Sequence, residues 1–217
     1  MALIHQAELR PSKIDLLREW APAQQWFVGG AGATLVSLAS FRFDDPEGEV
    51  GIETILVRAG DGPVMQLPLT YRGAPLDGGE AWLIGTMQHS VLGRRWVYDA
   101  TGDPAYLAAV ATAALTGGSE AEQYVAIDGA LVRREPTAVV LGSGAHGTPV
   151  PSLAPTGTIS TRHEVGATVA EAGDLRLLIL RVPRPETNDE AALGIITGTW
   201  TGQSEPQALV IVQTLAG

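Results

Sequence analysis

The sequence predicts an α+β protein that is built mainly from antiparallel β-strands. Short segments in which apolar and polar residues alternate recur along the chain, separated by clusters of glycine, proline and aspartate, which is typical of strands joined by tight turns. Longer helical patterns are few. Apolar residues make up 45% of the 217 residues, so the chain can bury a core.

Two segments have the signals of helix boundaries. Ser12 is a suitable N-cap for a helix in 12–26 that Ala21 and Pro22 should end. Asp103 caps the clearest helix, 103–115, because Pro104 occupies its first position and two glycines follow it. Between these helices the alternation predicts antiparallel strands at 35–43, 51–59, 63–72, within 74–87 and at 94–100.

The second half of the chain is predicted to be rich in strands. A Gly/Pro linker is expected at 142–158, and a short helix around 189–196. The predicted domains are therefore 1–116 and 117–217. Strands are expected at 122–127, 130–134, 137–141, 159–170, 174–183 and 207–215.

Composition argues against several functional classes. The net charge of −10 and the pI of about 4.8 disfavour nucleic acid and anionic membranes, because both bind basic surfaces. The chain has no cysteine and its four histidines are scattered, so no metal ligand set and no cofactor is predicted. No signal peptide and no apolar run of about 20 residues are present, and a cytoplasmic protein without a membrane partner is expected.

Three patterns could indicate a site, and each has a simpler interpretation. GSGAHG at 142–147 matches a dinucleotide-binding fingerprint, but prolines follow where a helix should begin, which favours a flexible linker. His89, Ser90 and Asp99 could form a triad, but no nucleophile elbow surrounds the serine. Trp96 and Tyr98 share a strand face that could stack on a sugar or simply pack under a helix.

Four motifs occur in a characteristic order: QWFVGGAG (25–32), PLTYRGAPL (68–76), LIGT (83–86) and RRWVYDATGDPAYLAAV (94–110). By these motifs, residues 1–115 resemble the N-terminal cap of actinobacterial maltokinases and aminosugar kinases, and still more the stand-alone cap-like proteins of actinobacteria. The resemblance implies a curved, cystatin-like antiparallel sheet with a packed helix.

Residues 174–217 are similar to strands of a kinase N-lobe. In LLILRVPRP (177–185), Arg181 stands where the resemblance places the ATP-contacting lysine, and Glu190 takes the place of its glutamate partner. Arginine does not simply replace lysine, because its planar fork needs more room than an ammonium. The sequence after Asn188 is too short for a C-lobe with its catalytic Asp and metal ligands, so no catalytic residue is expected.

Three functional hypotheses follow from the sequence. The first is a non-catalytic accessory or regulatory protein that binds a kinase or an α-glucan pathway enzyme, or associates with itself, in trehalose, maltose 1-phosphate and α-glucan metabolism. The second is a protein that binds a sugar or a nucleotide, and the third is an enzyme, which the missing metal ligands disfavour. Candidate ligand-binding residues are Tyr71, His89, Trp96, Tyr98, Arg181, Arg184 and Glu190, with Trp82 on the same predicted sheet.

Overall fold

The computed structural model describes residues 2–4 (backbone only), 7–30, 32–127, 130–151, 153, 159–186 and 189–215. These residues form mostly β-strands, with two α-helices and three single 3₁₀ turns at Ala21–Ala23, Glu80–Trp82 and Ala100–Gly102. The elements are β1 (Ala2–Ile4), β2 (Leu9–Arg10), α1 (Lys13–Trp20), β3 (Leu35–Phe43), β4 (Gly51–Ala59), β5 (Val64–Arg72), β6 (Leu83–His89), β7 (Gly93–Asp99), α2 (Pro104–Thr116), β8 (Gln123–Ile127), β9 (Ala130–Arg134), β10 (Ala138–Gly142), β11 (Ser160–Glu164), β12 (Ala167–Ala172), β13 (Leu175–Pro185), β14 (Ala192–Trp200) and β15 (Gln203–Thr214).

The first sheet has six antiparallel strands in the order β2-β6-β7-β5-β4-β3 and curls into a half-barrel. The prediction of a mainly antiparallel, curved sheet is confirmed. Ser12 accepts a hydrogen bond from the backbone of Asp15 and caps α1, which packs on one face of the sheet. The opposite face contacts α2, so both predicted helices lie against this sheet.

The second sheet also has six antiparallel strands, in the order β10-β14-β15-β13-β12-β11. A small third sheet joins β8 and β9 to β1, which runs parallel to β8. The first described strand of the chain therefore pairs with a strand that follows α2. The domain boundary after residue 116 stays a prediction. Backbone pairing crosses that boundary, because β1 lies before it and β8 after it.

Helix α2 lies in a core that both large sheets share. Most of its side chains are buried, and only a narrow stripe that includes Thr112 reaches the surface, as expected for a helix that is mainly apolar. Alanines let the flanking sheets come close, while Tyr106, Leu107 and Val110 fill the wider spaces. Within the described residues neither α-helix is both long and apolar enough to span a lipid bilayer.

The beginning of the predicted linker is not a flexible segment. Gly142 ends β10, and a Cβ atom there would lie 1.9 Å from the carbonyl oxygen of Ala113 in α2. At Gly144 a Cβ atom would lie 2.0 Å from the carbonyl oxygen of Leu115. The glycines of GSG are thus needed for close approach to the helix backbone. Of the rest of the predicted linker, 152 and 154–158 lie outside the described residues.

Two predicted elements are wrong. The segment predicted as a helix around 189–196 is largely strand β14, which pairs with both β10 and β15. Its β-branched residues Ile195 and Ile196 suit a strand, and pairing on both sides outweighs the local helical preference of the alanines. The single strand predicted at 159–170 is a hairpin, because Val165 and Gly166 form a turn between β11 and β12.

Candidate functional site

A cluster of charged residues lies on the α1 face of the first sheet. Glu53 on β4 is paired in register with Arg42 on β3, and Lys13 is the first residue of α1. The Oε2 atom of Glu53 lies 2.5 Å from the Lys13 Nζ and 3.4 Å from the Arg42 Nη2. The Tyr71 hydroxyl donates a hydrogen bond to the same oxygen at 2.8 Å. Three donors from three elements therefore converge on one buried carboxylate oxygen.

The protonation state of each group follows from its surroundings. Burial disfavours the Glu53 anion, but Arg42 and Lys13 outweigh burial and lower the pKa of Glu53 to about 2. Burial and the negative charge of Glu53 raise the pKa of Tyr71 well above its ordinary value, so this phenol stays protonated and donates. Burial is also the main cause that lowers the pKa of Lys13; Glu53 opposes it, whereas Arg42 and Arg134 add to it.

The depressed pKa of Glu53 predicts a loss of stability in acid. The free energy that ionised Glu53 contributes is present above its ordinary pKa of 4.5 and is lost as the pH falls to about 2. The size of this contribution is on the order of 3 kcal/mol. In Glu53→Gln this contribution is absent, so the variant should be less stable at pH 7 and its stability should depend less on pH across this window. Urea denaturation between pH 7 and pH 2 measures both effects.

Glu49→Gln is the matched control for this prediction. Glu49 is an exposed residue on the rim of the neighbouring cleft, and its substitution makes the same chemical change. The control should keep the pH dependence of the wild-type protein. If Glu53→Gln and the wild-type protein lose stability in parallel below pH 4.5, the assignment of this pH dependence to Glu53 is wrong.

The cluster borders a cleft of about 800 Å³. Its lining includes the cations Lys13, Arg42 and Arg95 and acidic residues of the loop between β3 and β4. Asp45 in this loop accepts hydrogen bonds from three backbone N–H groups of its own turn, which holds the loop in place. Apolar residues also line the cleft, together with Tyr71: Leu9, Phe43, Val50, Ile52, Met87 and Leu92.

The three residues of the possible triad each have other partners. The Nδ1 atom of His89 accepts hydrogen bonds from the backbone N–H groups of Val91 and Leu92, so its proton is on Nε2. The hydroxyl oxygen of Ser90 accepts from the backbone N–H of Glu8. Asp99 is buried and pairs with Arg181. The structure therefore does not join these residues into a catalytic triad, and His89 instead lines the cleft.

Arg181 joins the two large sheets. Its side chain is fully buried, and its Nη2 atom lies 2.5 Å from the Asp99 Oδ2 at the end of β7. Its Nε donates to the hydroxyl of Thr168 on β12 at 2.8 Å, and the guanidinium lies 4.3 Å from the ring centre of Trp26. Arg181, the basic residue that follows LLIL, is thus buried between the two sheets and forms contacts with both. A ligand could reach it only if the sheets separated.

A comparison with family models identifies the kind of domain to which the first sheet belongs. Residues 20–103 match the model described as maltokinase N-terminal cap domain. The chain contains a maltokinase N-terminal cap-like domain. The match covers less than half of the chain. A search of the curated proteins found no match to the chain.

The matched segment corresponds closely to the strands of the cap-like domain. It runs from the last residue of α1 through β3–β7 and ends at Asp103, the N-cap of α2. The carboxylate of Asp103 is fully buried and accepts hydrogen bonds from Thr70, Arg72 and the backbone of Ala105. The end of the cap-like domain is therefore fixed to the start of the central helix. Lys13 and Arg181 lie outside the match.

The aromatic residues predicted to bind a ligand are not in one place. Tyr71 lines the cleft, whereas the ring of Trp96 contacts the guanidinium of Arg94, at 4.8 Å from the ring centre. Tyr98 is buried, and its hydroxyl accepts a hydrogen bond from the backbone of Leu76. The indole of Trp82 donates to the Thr161 hydroxyl in the second sheet. Of these four rings, only that of Tyr71 lines the cleft.

The two remaining candidates lie near the ends of strands in the second sheet. Arg184 is exposed on β13, three residues after Arg181, and Glu190 is exposed in the turn before β14. Asn188 lies outside the described residues. The predicted set Arg181, Arg184 and Glu190 therefore combines one buried residue with two exposed ones, and each remains a prediction as a ligand-binding residue.

Sequence reasoning missed the cluster around Glu53. One signal was available, because Lys13 is the only lysine in the chain and occupies the first turn of a helix. Arg42 and Glu53 gave no signal, since charged residues at alternate strand positions normally face solvent. Their burial depends on α1 covering that face of the sheet, which is a tertiary event.

Proposed function

We propose that this protein is a non-catalytic accessory or regulatory protein that acts by binding a protein partner. Its second unit, in this proposal, is a degenerate form of a kinase N-lobe. The observation that carries the proposal is the position of Arg181. At the strand position where a kinase would present a lysine to ATP, this chain has an arginine that is buried and neutralised by Asp99.

The cap-like domain supports a role beside enzymes of carbohydrate metabolism. A relation to maltokinase caps makes trehalose, maltose 1-phosphate and α-glucan metabolism in actinobacteria the proposed context. The proposed partner is a kinase or an α-glucan pathway enzyme, or a second copy of the chain.

An exposed apolar pair supports the proposal of such a partner. Val139 and Leu141 occupy alternate positions of the edge strand β10, so both side chains point away from α2. Their relative exposures are 52% and 57%. Large apolar side chains side by side on an edge strand are typical of an interface or of an aggregation risk.

The test combines a turnover assay with a binding assay on the full chain. ATP hydrolysis and phosphoryl transfer to maltose should be undetectable with Mg²⁺ present. A tagged wild-type protein should capture a pathway enzyme or an untagged copy of itself, and Val139→Thr with Leu141→Thr should reduce this capture about tenfold. Leu131→Thr with Val132→Thr, an equally exposed pair on β9, is the control. Turnover, or no capture of either partner, would reject the proposal.

A second candidate function is the binding of a small ligand, a sugar or a nucleotide. The cleft favours it, because its volume of about 800 Å³ lies within the range of small-molecule sites and its lining combines apolar with charged residues. In this alternative the cap-like domain holds the ligand, and the second sheet supports it through Arg181.

A further inference from the structure

The charged side chains that line the cleft are balanced in sign. Among the described residues, the lining has three cations and three carboxylates: Lys13, Arg42, Arg95, Asp44, Asp45 and Glu49. Glu53, whose carboxylate contacts two of these cations, adds a further negative charge beside them. A ligand with a net negative charge would therefore gain no attraction from the cleft as a whole. A ligand without net charge fits this balance.

Most of these charged groups already have partners inside the protein. Lys13 and Arg42 share the carboxylate of Glu53. The carboxylate of Asp45 accepts hydrogen bonds from three backbone N–H groups of its own turn. Asp44 is engaged in an interaction as well. These four residues therefore contribute to the electrostatic balance of the cleft, but their main interactions are made within the protein.

Arg95 and Glu49 are the other two charged residues of the lining. Within the described part of the chain, no hydrogen bond or ion pair engages either side chain, and the two do not pair with each other. Arg95 is partly buried, whereas Glu49 is exposed. The lining thus offers a ligand one guanidinium with all of its N–H donors and one carboxylate with both of its oxygens.

Both of these residues lie at the same end of the strand pair β4–β5. A Cβ atom at Gly73, the residue after β5, would lie 2.8 Å from the Arg95 Nη1, so the guanidinium lies against this backbone. Glu49 precedes β4 by two residues, and Gly51, the first residue of β4, is paired with Tyr71 near the end of β5. Because β4 and β5 are antiparallel, the start of one strand lies beside the end of the other.

We infer that the cleft is a binding site for a small zwitterion with an apolar body, such as a free amino acid. The carboxylate of the ligand lies against Arg95, whose planar fork binds carboxylates, and its ammonium lies against Glu49. The apolar body contacts apolar residues of the lining: Leu9, Ile52, Met87 and Leu92. The inference goes beyond the proposed function, because it needs no protein partner and assigns the cleft a ligand that is neither a sugar nor a nucleotide.

Calorimetric titration of the full chain tests the inference with probes that share one branched apolar body. Leucine carries both charges, isoamylamine lacks the carboxylate, and isocaproate lacks the ammonium. Leucine should bind with a Kd below about 10 mM and at least tenfold more tightly than either analogue, because each lost charge removes a charge-assisted hydrogen bond. Glucose, the neutral probe, should bind more weakly than leucine.

Two variants assign each charge of the ligand to a residue. In Arg95→Gln, leucine should bind no more tightly than isoamylamine, because the carboxylate has lost its charged partner. In Glu49→Gln, leucine should bind no more tightly than isocaproate, because the ammonium has lost its own. Arg94→Gln and Glu47→Gln are the matched controls and should keep both preferences, since these residues are exposed and do not belong to the lining. Because Glu49 is exposed, its variant should fold even if Arg95→Gln does not.

Three results would overturn the inference. The first is binding of isoamylamine or isocaproate as tight as that of leucine. The second is the absence of leucine binding, or binding of glucose as tight as that of leucine. The third is equal affinity for leucine in Glu49→Gln and Glu47→Gln, which would place the ligand elsewhere. A preference for leucine over isocaproate that is lost in Glu49→Gln and kept in Glu47→Gln would establish the site.

Discussion

Asp99→Asn is expected to destabilise the protein by about 3–5 kcal/mol, because it leaves the buried Arg181 without its counter-charge. The substitution changes little else. The Oδ1 atom of Asp99 accepts hydrogen bonds from the backbone and hydroxyl of Thr101, and the amide oxygen of asparagine can keep both. The free energy of unfolding, measured by urea denaturation at pH 7, should therefore fall mainly through the lost ion pair.

A double-mutant cycle separates the pair from its surroundings. Asp99→Asn combined with Arg181→Met removes both charges and keeps an unbranched side chain beside Trp26, so the double variant should be less destabilised than the sum of the single variants. Arg184→Met, on an exposed position of the same strand, should change stability by no more than about 0.5 kcal/mol. Additive effects in the cycle would show that the ion pair does not couple the two sheets.

Gly142→Ala is expected to destabilise the protein by about 3 kcal/mol or more, although it adds only one methyl group. That methyl would lie 1.9 Å from the carbonyl oxygen of Ala113 and 3.1 Å from the Cα atom of Ala114. The neighbouring atoms are backbone of α2, which cannot rotate away, so β10 or the helix must move. Thermal and urea denaturation should both detect the loss.

Gly30→Ala is the control for this substitution. Gly30 is exposed, and no heavy atom lies within 4 Å of a Cβ atom built there. Its replacement should change the free energy of unfolding by about 0.5 kcal/mol at most. If Gly142→Ala were as stable as Gly30→Ala, the close approach of β10 to α2 would be refuted, and the interpretation of 142–147 as a flexible linker would return.

The candidate cleft could be predicted from the sequence only in part. Tyr71 and His89 were named as candidates, and both line it. Lys13 gave a single signal, because it is the only lysine in the chain, and Glu53 gave none. A carboxylate in a strand gives no sign of burial by itself. The pKa of Glu53 is low because α1 and β3 bring Lys13 and Arg42 to the same carboxylate oxygen. Both cations lie on other elements than Glu53, so no local sequence pattern connects the three residues.

The sequence by itself determined the class of the fold, the two α-helices and the strands of the cap-like domain. These depend on local properties: alternation, the Ser12 and Asp103 caps, and the turn at Asp61 and Gly62. Only the tertiary structure decided that β14 is a strand, that Gly142 packs against α2, and that Arg181 joins two sheets. Each of these depends on a partner far away in the chain, and a long-range contact outweighs a weak local preference.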